Sequence, residues 1–422
     1  MSLDVRRVRR DFPILRSGLI YLDSAASSLT PEQVVGKMLE FYREYRANVE
    51  RGVHRLSERA TEELLSARDE VRRFINAGDC GEVIFTKNTT EGINMVAAGL
   101  RWKKGDKIVT TIAEHHSNLI PWQRVSKRFG IKVEVVRPHS DGEFSAADFE
   151  RAIDEKTKLV AVSHVSNVLA CRLPVEEIAE IAGEIGAKVL VDGAQSVPRM
   201  PVDVRKMGCD FLTFSGHKML GPTGIGVLYV RRENFRELEP LVMGGGSVER
   251  VSSGGYKLAP PPHAYEGGTP PIAEAIGLGE AVRYLRRCGM ASVLSHERKL
   301  VERMYRALSE IKGVEIYGPG DPRRRFGMVS FNVAGADPNE VAVELDRMAM
   351  IAVRSGHHCA MPLHVEFLGR PEGSVRASVY IYNTRDEIDK LAECVERIAR
   401  RSRTGRHGRP PGCRSFIRPA RG

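Results

Sequence analysis

Lys188-Val189-Leu190-Val191-Asp192-Gly193-Ala194-Gln195, followed at 210–218 by Asp210-Phe211-Leu212-Thr213-Phe214-Ser215-Gly216-His217-Lys218, decides the fold of this chain. Each stretch opens with an apolar run of strand length and ends in a polar cluster entered through a glycine turn. Near-continuous apolar runs are what strands covered on both faces require. Similar runs occur at 82–86, 107–112, 132–137, 158–164 and 226–230. Helix-like patterns lie between most of them, at 61–74, 93–100 and 174–185 among others. The alternation predicts an α/β fold with a mostly parallel sheet and helices on both faces.

The pattern changes after 277–286. A long helix is expected over 296–311, then strands at 314–317, 327–333 and 376–382, with helices at 338–348 and 385–400. This reads as an α+β second domain, and the first dozen residues are expected to pack on it. The expected division is a large domain over 17–283 and a small domain built from 1–16 and 284–401. A basic tail over 402–422 is expected to be disordered, being rich in Arg, Gly and Pro with no hydrophobic period.

The 422 residues are 42% hydrophobic and 28% charged, ordinary for a globular chain long enough to bury two cores. No apolar run approaches the ~20 residues of a membrane span. The N-terminal arginines Arg6, Arg7, Arg9 and Arg10 precede no apolar segment, so a signal peptide is not expected and a cytoplasmic location is. Of the 64 basic residues, eight arginines lie in 400–422, leaving 56 basic against 54 acidic residues. The net charge of +10 is therefore mostly a tail, which makes nucleic-acid binding by the folded body unlikely. The seven cysteines are scattered, without a C-x-x-C pair, so neither a disulfide framework nor a metal site is expected.

In open α/β sheets ligands sit beyond the carboxyl ends of the strands, and four of the strands here end in chemistry-bearing residues: Glu114-His115-His116, Ser166-Asn167, Asp192 to Gln195, and Ser215 to Lys218. Lys218, at a buried strand end, suits imine formation with a cofactor aldehyde, because burial and nearby cations make an amine nucleophilic. A lysine simply reaching solvent is the plain alternative. Asp192 suits the protonated ring nitrogen of pyridoxal 5′-phosphate, or only caps its own Asp-Gly turn. Gln195 suits the ring oxygen. Asn88-Thr89-Thr90-Glu91-Gly92, between a strand and a helix, offers an anion site at a helix N-terminus, or merely a threonine cap. His115 suits stacking on a cofactor ring, or a structural hydrogen bond. Arg354-Ser355-Gly356-His357-His358-Cys359-Ala360 sets a cysteine among basic groups of the kind that stabilise a thiolate, with an arginine able to grip a carboxylate in bidentate fashion.

Taken in order, Thr-Thr-Glu-Gly, Glu-His-His, Ser-His-Val-Ser-Asn, Val-Asp-Gly-Ala-Gln, Ser-Gly-His-Lys and Arg-x-Gly-His-His-Cys-Ala resemble the class V aminotransferase-like family, and within it the cysteine desulfurases of the sulfur-mobilisation (Suf) type. The resemblance spans about residues 11–400. It implies fold type I of the pyridoxal-phosphate enzymes, with Lys218 as the Schiff-base lysine, Asp192 and Gln195 on the ring, and His115 stacked against it. Thr89, Thr90, Ser215 and His217 are then phosphate ligands, and Asn167, Arg354 and Arg376 hold the substrate carboxylate. His54 resembles a histidine at the site mouth. Thr269, in Glu266-Gly267-Gly268-Thr269, resembles a threonine reaching the phosphate of a neighbouring subunit, which implies a homodimer. The implied reaction converts L-cysteine to L-alanine and leaves sulfur on Cys359 as a persulfide, for a sulfur-acceptor protein in iron–sulfur cluster assembly. Selenocysteine lyase chemistry on the same site, and nucleic-acid binding through the tail, are the rival expectations. One departure stands out: after Asn167 the family pattern Val-Leu-Gly-Thr is replaced by Val168-Leu169-Ala170-Cys171.

Overall fold

The computed structural model describes residues 3–403. Its centre is a seven-stranded sheet formed by β1 (Gly81–Thr86), β2 (Lys107–Thr111), β3 (Lys132–Val136), β4 (Thr157–Ser163), β5 (Lys188–Asp192), β6 (Phe211–Ser215) and β7 (Gly226–Arg231), in the order β1-β7-β6-β5-β4-β2-β3. β2 to β6 are parallel, and β7 runs against both of its neighbours. Side chains alternate along a strand, and both faces of this sheet are buried. Along β4, Leu159 and Ala161 enter one hydrophobic cluster while Val160 and Val162 enter the other.

A second, four-stranded antiparallel sheet contains β8 (Val314–Tyr317), β9 (Met328–Val333), β10 (Arg354–Gly356) and β11 (Ser374–Ser378), ordered β8-β9-β11-β10. Helices Met290–Ser309, Pro338–Ala349 and Arg385–Arg403 cover it through Leu300, Leu345, Leu391 and Val395. The N-terminal helix Val5–Arg10 is tied to this region. Arg9 donates to Tyr382 O and to the Glu387 carboxylate at 2.6 and 2.7 Å, and the Phe12 ring packs edge-on against Tyr382.

Several element bounds differ from the expectations, each for a local reason. The helix expected from Thr61 begins at Arg55, because the His54 ring accepts the Ser57 N–H and caps it. The helix expected from His296 begins at Met290, immediately after Gly289, whose φ of 77° separates it from helix Ile272–Cys288. The last strand is Ser374–Ser378 and not 376–382. Beyond it the chain turns, with the Asn383 side chain accepting the Tyr380 N–H at 2.7 Å. Ser402 and Arg403, expected in the tail, belong to the last helix, which runs through Arg403 with an Arg400–Glu396 pair one turn apart. Residues 404–422 lie outside the described residues. A hairpin, Val248–Ser252 with Gly255–Leu258, was not anticipated.

One packing detail bears on the site. At the start of β7, Gly226 lies against the backbone of Asn88, where the helix Thr89–Gly99 begins, and a Cβ added at 226 would fall 2.5 Å from the Asn88 Cα.

Candidate active site

The carboxyl ends of the parallel strands and the edge of the small sheet enclose a cavity of about 240 Å³. Twelve of the fourteen expected site residues line it, Lys218 and Cys359 among them. It lies where the strand order reverses between β2 and β4, the switch point at which open α/β sheets bind ligands.

Lys218 closes the short turn after β6. Its side chain is half-buried at the cavity wall, and loss of hydration, opposed by the Asp192 carboxylate and assisted by the Arg376, Arg199 and Arg354 cations, brings the amine down to about 8. Asp192, at the end of β5, is buried. Burial pushes its carboxyl upward while Lys218 opposes that shift. Its Oδ1 accepts the Ala194 N–H at 2.9 Å, which leaves the other oxygen for a donor in the cavity. Gln195 donates one amide hydrogen to Ala25 O at 2.8 Å and has a second to offer.

At the other end of the cavity, Asn88 caps the helix Thr89–Gly99 by accepting the Glu91 N–H. Neither threonine is the cap. Thr89 instead meets Ser215 through Oγ1 at 2.7 Å, with its N–H donating to the same Ser215 hydroxyl, and Thr90 Oγ1 meets Ser117 Oγ at 2.7 Å. His217, brought down to about 4 by burial and then by Lys218, pairs with Ser27. These hydroxyls and neutral imidazole at a helix N-terminus form an anion cradle.

His115 is held by Ser117, whose N–H donates to its Nδ1 at 3.1 Å. The ring proton is therefore assigned to Nε2. Burial first, then Lys218, brings His115 down to about 3, so the ring is neutral at physiological pH. The preceding Glu114 is fully buried, accepts from Thr111 and Asn118 at 2.7 Å, and is raised to about 7 by burial.

From the small sheet, Arg376 donates to Asn167 O at 2.9 Å and approaches Asp23 at 3.4 Å. Burial outweighs these partners and brings it down to about 10, so it stays a cation at neutral pH. Cys359 follows β10 in a turn where His358 and Cys359 both have positive φ, 50° and 58°. The rings of the two neighbouring histidines are engaged away from the thiol. His357 Nε2 meets Pro371 O, and His358 Nε2 meets Ser374 Oγ, with burial holding His358 well below its usual value. Arg354 and Arg376 are the cations of this end of the cavity.

Two expected residues lie outside the cavity. His54 is an exposed helix cap, and Thr269 lies in a separate depression with Leu241 and Val242. Ser117, Asn88 and Asp23 were missed. Ser117 follows Glu-His-His directly, and that proximity to a strand end was the available signal. Cys171, at the end of the departing segment after Asn167, does not line the cavity. It is fully buried beside Leu173 and Phe326, and burial raises its thiol to about 12.

The donors suit pyridoxal phosphate on the structure's own terms: a buried carboxylate with a free oxygen, a half-buried amine beside it, and a hydroxyl-lined anion cradle at one end. The chain belongs to the aminotransferase class-V family, whose model matches residues 20–391. Within it, the chain is 47% identical over 394 residues to a probable cysteine desulfurase of Methanothermobacter thermautotrophicus, covering 93% of this chain and 97% of that one. A probable cysteine desulfurase of Pyrococcus abyssi is 47% identical over 400 residues, covering 94% and 98%. Among solved structures, the apo cysteine desulfurase of Thermococcus onnurineus NA1 superposes with a TM-score of 0.91 at 47% identity, over 95% of this chain and 99% of that one. The S-sulfonic acid form of the cysteine desulfurase CsdA from Escherichia coli gives 0.87 at 34%, over 94% and 98%. The shared fold is type I of the pyridoxal-phosphate enzymes. Among the described residues no helix is long and apolar enough to cross a membrane.

Proposed function

We propose that this chain is a pyridoxal-phosphate-dependent cysteine desulfurase that converts L-cysteine to L-alanine and carries the sulfur on Cys359. The observation that supports this most is that the Lys218 amine, the Cys359 thiol and the Arg354–Arg376 pair open onto one small cavity.

Lys218 would anchor the cofactor, Asp192 and Gln195 its ring, His115 its face, and Thr89, Thr90, Ser215 and His217 its phosphate. When bound, the cofactor supplies an electron sink for charge developing at the substrate Cα. Arg376 and Arg354 bind the substrate carboxylate, with Asn167 beside them. Lys218 Nζ, neutral in a useful fraction because of its depressed basicity, takes the proton from Cα. The Cys359 thiolate attacks the substrate sulfur. The Cβ–S bond breaks with its electron pair left on the carbon side, Cβ takes up a proton, and Lys218 returns the proton to Cα to complete alanine. The sulfur is left as a Cys359 persulfide, ready for a thiol of an acceptor protein that feeds iron–sulfur cluster assembly. Holding thiol and substrate in one cavity makes this attack intramolecular in character.

The division into a large domain over 17–283 and a small one from 1–16 and 284–401 is supported by the two sheets, the smaller having its own core around Leu300, Phe331 and Leu391. A homodimer is supported by the two residues that miss their own cavity. Val53, next to His54, is 95% exposed, and Leu241, Val242 and Met243, near Thr269, are exposed apolar residues. In this reading Thr269 serves the phosphate of a second copy.

Mass spectrometry tests the proposal. After addition of cysteine, the Cys359 peptide is expected to gain the mass of one sulfur, about 32 Da. Lys218→Ala and Cys359→Ser are both expected to abolish the gain. A gain that persists in Lys218→Ala sinks the proposal.

A further inference from the structure

We propose that His116 is a positioning residue that clamps the turn carrying Cys359 and so sets its thiol for sulfur transfer, an inference that rests on the desulfurase function proposed above. The turn does not support itself. His358 and Cys359 are consecutive non-glycine residues in the left-handed region, which L-residues avoid because Cβ crowds the following carbonyl. Contacts from the large sheet hold them there. Asn167 Nδ2 donates to His358 O at 2.8 Å. The His116 backbone N–H donates to Cys359 O at 2.6 Å, and the His116 Nε2 accepts the Met361 N–H at 3.1 Å.

His116 therefore grips the chain at Cys359 itself and again two residues later. Its grip is on the backbone, so it acts through Cys359 and not on the reacting sulfur. Asn167 and His116 both lie just past strand ends, β4 and β2, so the sheet that carries the cofactor residues also fixes the thiol.

The side-chain half of the clamp depends on a lone pair at Nε2. A neutral ring with its proton on Nδ1 provides it. A doubly protonated ring would set an N–H against the Met361 N–H. His357 of the same turn and the adjacent His115, whose ring centroid lies 6.4 Å from that of His116, are the titratable neighbours, and Cys359 is itself one of the two clamped points. Burial and then His357 favour the neutral ring.

The test compares wild-type, His116→Ala and His116→Gln holoenzymes in single turnovers with cysteine. Two signals are followed: the cysteine-dependent change in cofactor absorbance, and the persulfide on the Cys359 peptide by mass spectrometry. His116→Ala is expected to keep the absorbance change at the wild-type rate while persulfide formation slows roughly 10- to 100-fold, the scale of an ångström-level misplacement. His116→Gln places an amide oxygen near the Nε2 position and is expected to restore most of the rate. In every variant Lys218 imposes a fall in the persulfide rate at acid pH, and the Gln variant, which has no titrating ring at 116, is expected to fall less steeply than the wild type. Wild-type persulfide rates in His116→Ala would overturn the proposal. So would equal loss of both signals, or a Gln variant as slow as Ala with an acid limb as steep as the wild type's. A wild-type enzyme that forms no persulfide would instead overturn the desulfurase reading itself.

Discussion

Arg354 and Arg376 stand directly opposite one another on neighbouring antiparallel strands, paired in register at the edge of the cavity. Like charges in facing positions repel and weaken a sheet. Asp23 is ion-paired with Arg376, at 3.4 Å, and acts on Arg354 only at longer range. Two cations held face to face with one distant anion describe a receptor for a second anion, and the carboxylate of an amino acid matches it. Arg354→Ala is expected to raise KM for cysteine roughly 10- to 100-fold, the scale of a hydrogen bond to a charged group, while the yellow colour of the holoenzyme is kept. Arg376→Ala is expected to act more strongly and to lower stability as well, because it also ties Asn167 O to the small sheet. An unchanged KM in both variants would remove the carboxylate from this position.

The basicity of Lys218 sets a pH window for cofactor capture. The attacking amine must be unprotonated, and loss of hydration brings Lys218 down to about 8. The rate at which apoenzyme takes up pyridoxal phosphate and turns yellow is expected to rise through pH 7 to 8 and to level off above that. An exposed lysine would keep rising to about pH 10. Lys218→Ala is expected to form no yellow species at any pH. A profile that climbs steadily to pH 10 would contradict the poorly hydrated setting.

The Arg199–Glu297 pair is buried on both sides and joins the segment after β5 to the helix Met290–Ser309, at 2.7 Å. Arg199 also donates to Val379 O. Glu297→Ala leaves a buried cation with no anion and is expected to cost about 3–5 kcal/mol, read as a lower urea midpoint at constant slope. The double substitution Arg199→Met with Glu297→Leu is expected to recover most of that loss. Burial raises Glu297 to about 7, above its usual 4.5. A raised carboxyl means the folded state holds its proton more tightly than the unfolded chain does. Its contribution to stability is therefore greatest below pH 4.5 and declines as pH rises towards 7, a slope that Glu297→Ala is expected to flatten.

Ala170 adopts a φ of 61° where the resembled family carries glycine. Glycine would relieve roughly 1 kcal/mol of left-handed strain. The alanine methyl, however, is fully buried against Ala25 and Met328, and losing a buried methyl costs about as much. Ala170→Gly is therefore expected to shift stability by less than about 1 kcal/mol in chemical denaturation, and a larger gain would show that the methyl is poorly packed.

The large sheet was legible because strands buried on both faces have no polar alternation to confuse them, and β4 to β7 fall where their apolar runs lie. The cavity was legible because parallel strands all deliver their next residues to one edge, so the clusters after β2, β4, β5 and β6 had to converge. The shift at β11 had the opposite cause. Val379 to Tyr382 are as apolar as a strand, but their backbone bonds to Gly327 and Asn383 and not to a ladder partner, and composition does not encode that choice. Thr269 and His54 were named through resemblance, and their distance from the cavity of the same chain is a matter of assembly that one chain's pattern does not carry. The orientation of His357 and His358 was also hidden. Their neighbours in sequence suggested a cationic nest, while tertiary hydrogen bonds to Pro371 O and Ser374 send both rings elsewhere.

The contact of Gly226 with the Asn88 backbone has a practical consequence for anyone redesigning this scaffold. The turn that starts the cradle helix rests on β7 with room for a hydrogen atom and nothing more. Randomising codon 226 and selecting for coloured colonies should return glycine alone. Even alanine would lift the whole cradle off its bed and change the cofactor's seat before any residue that touches it had been altered.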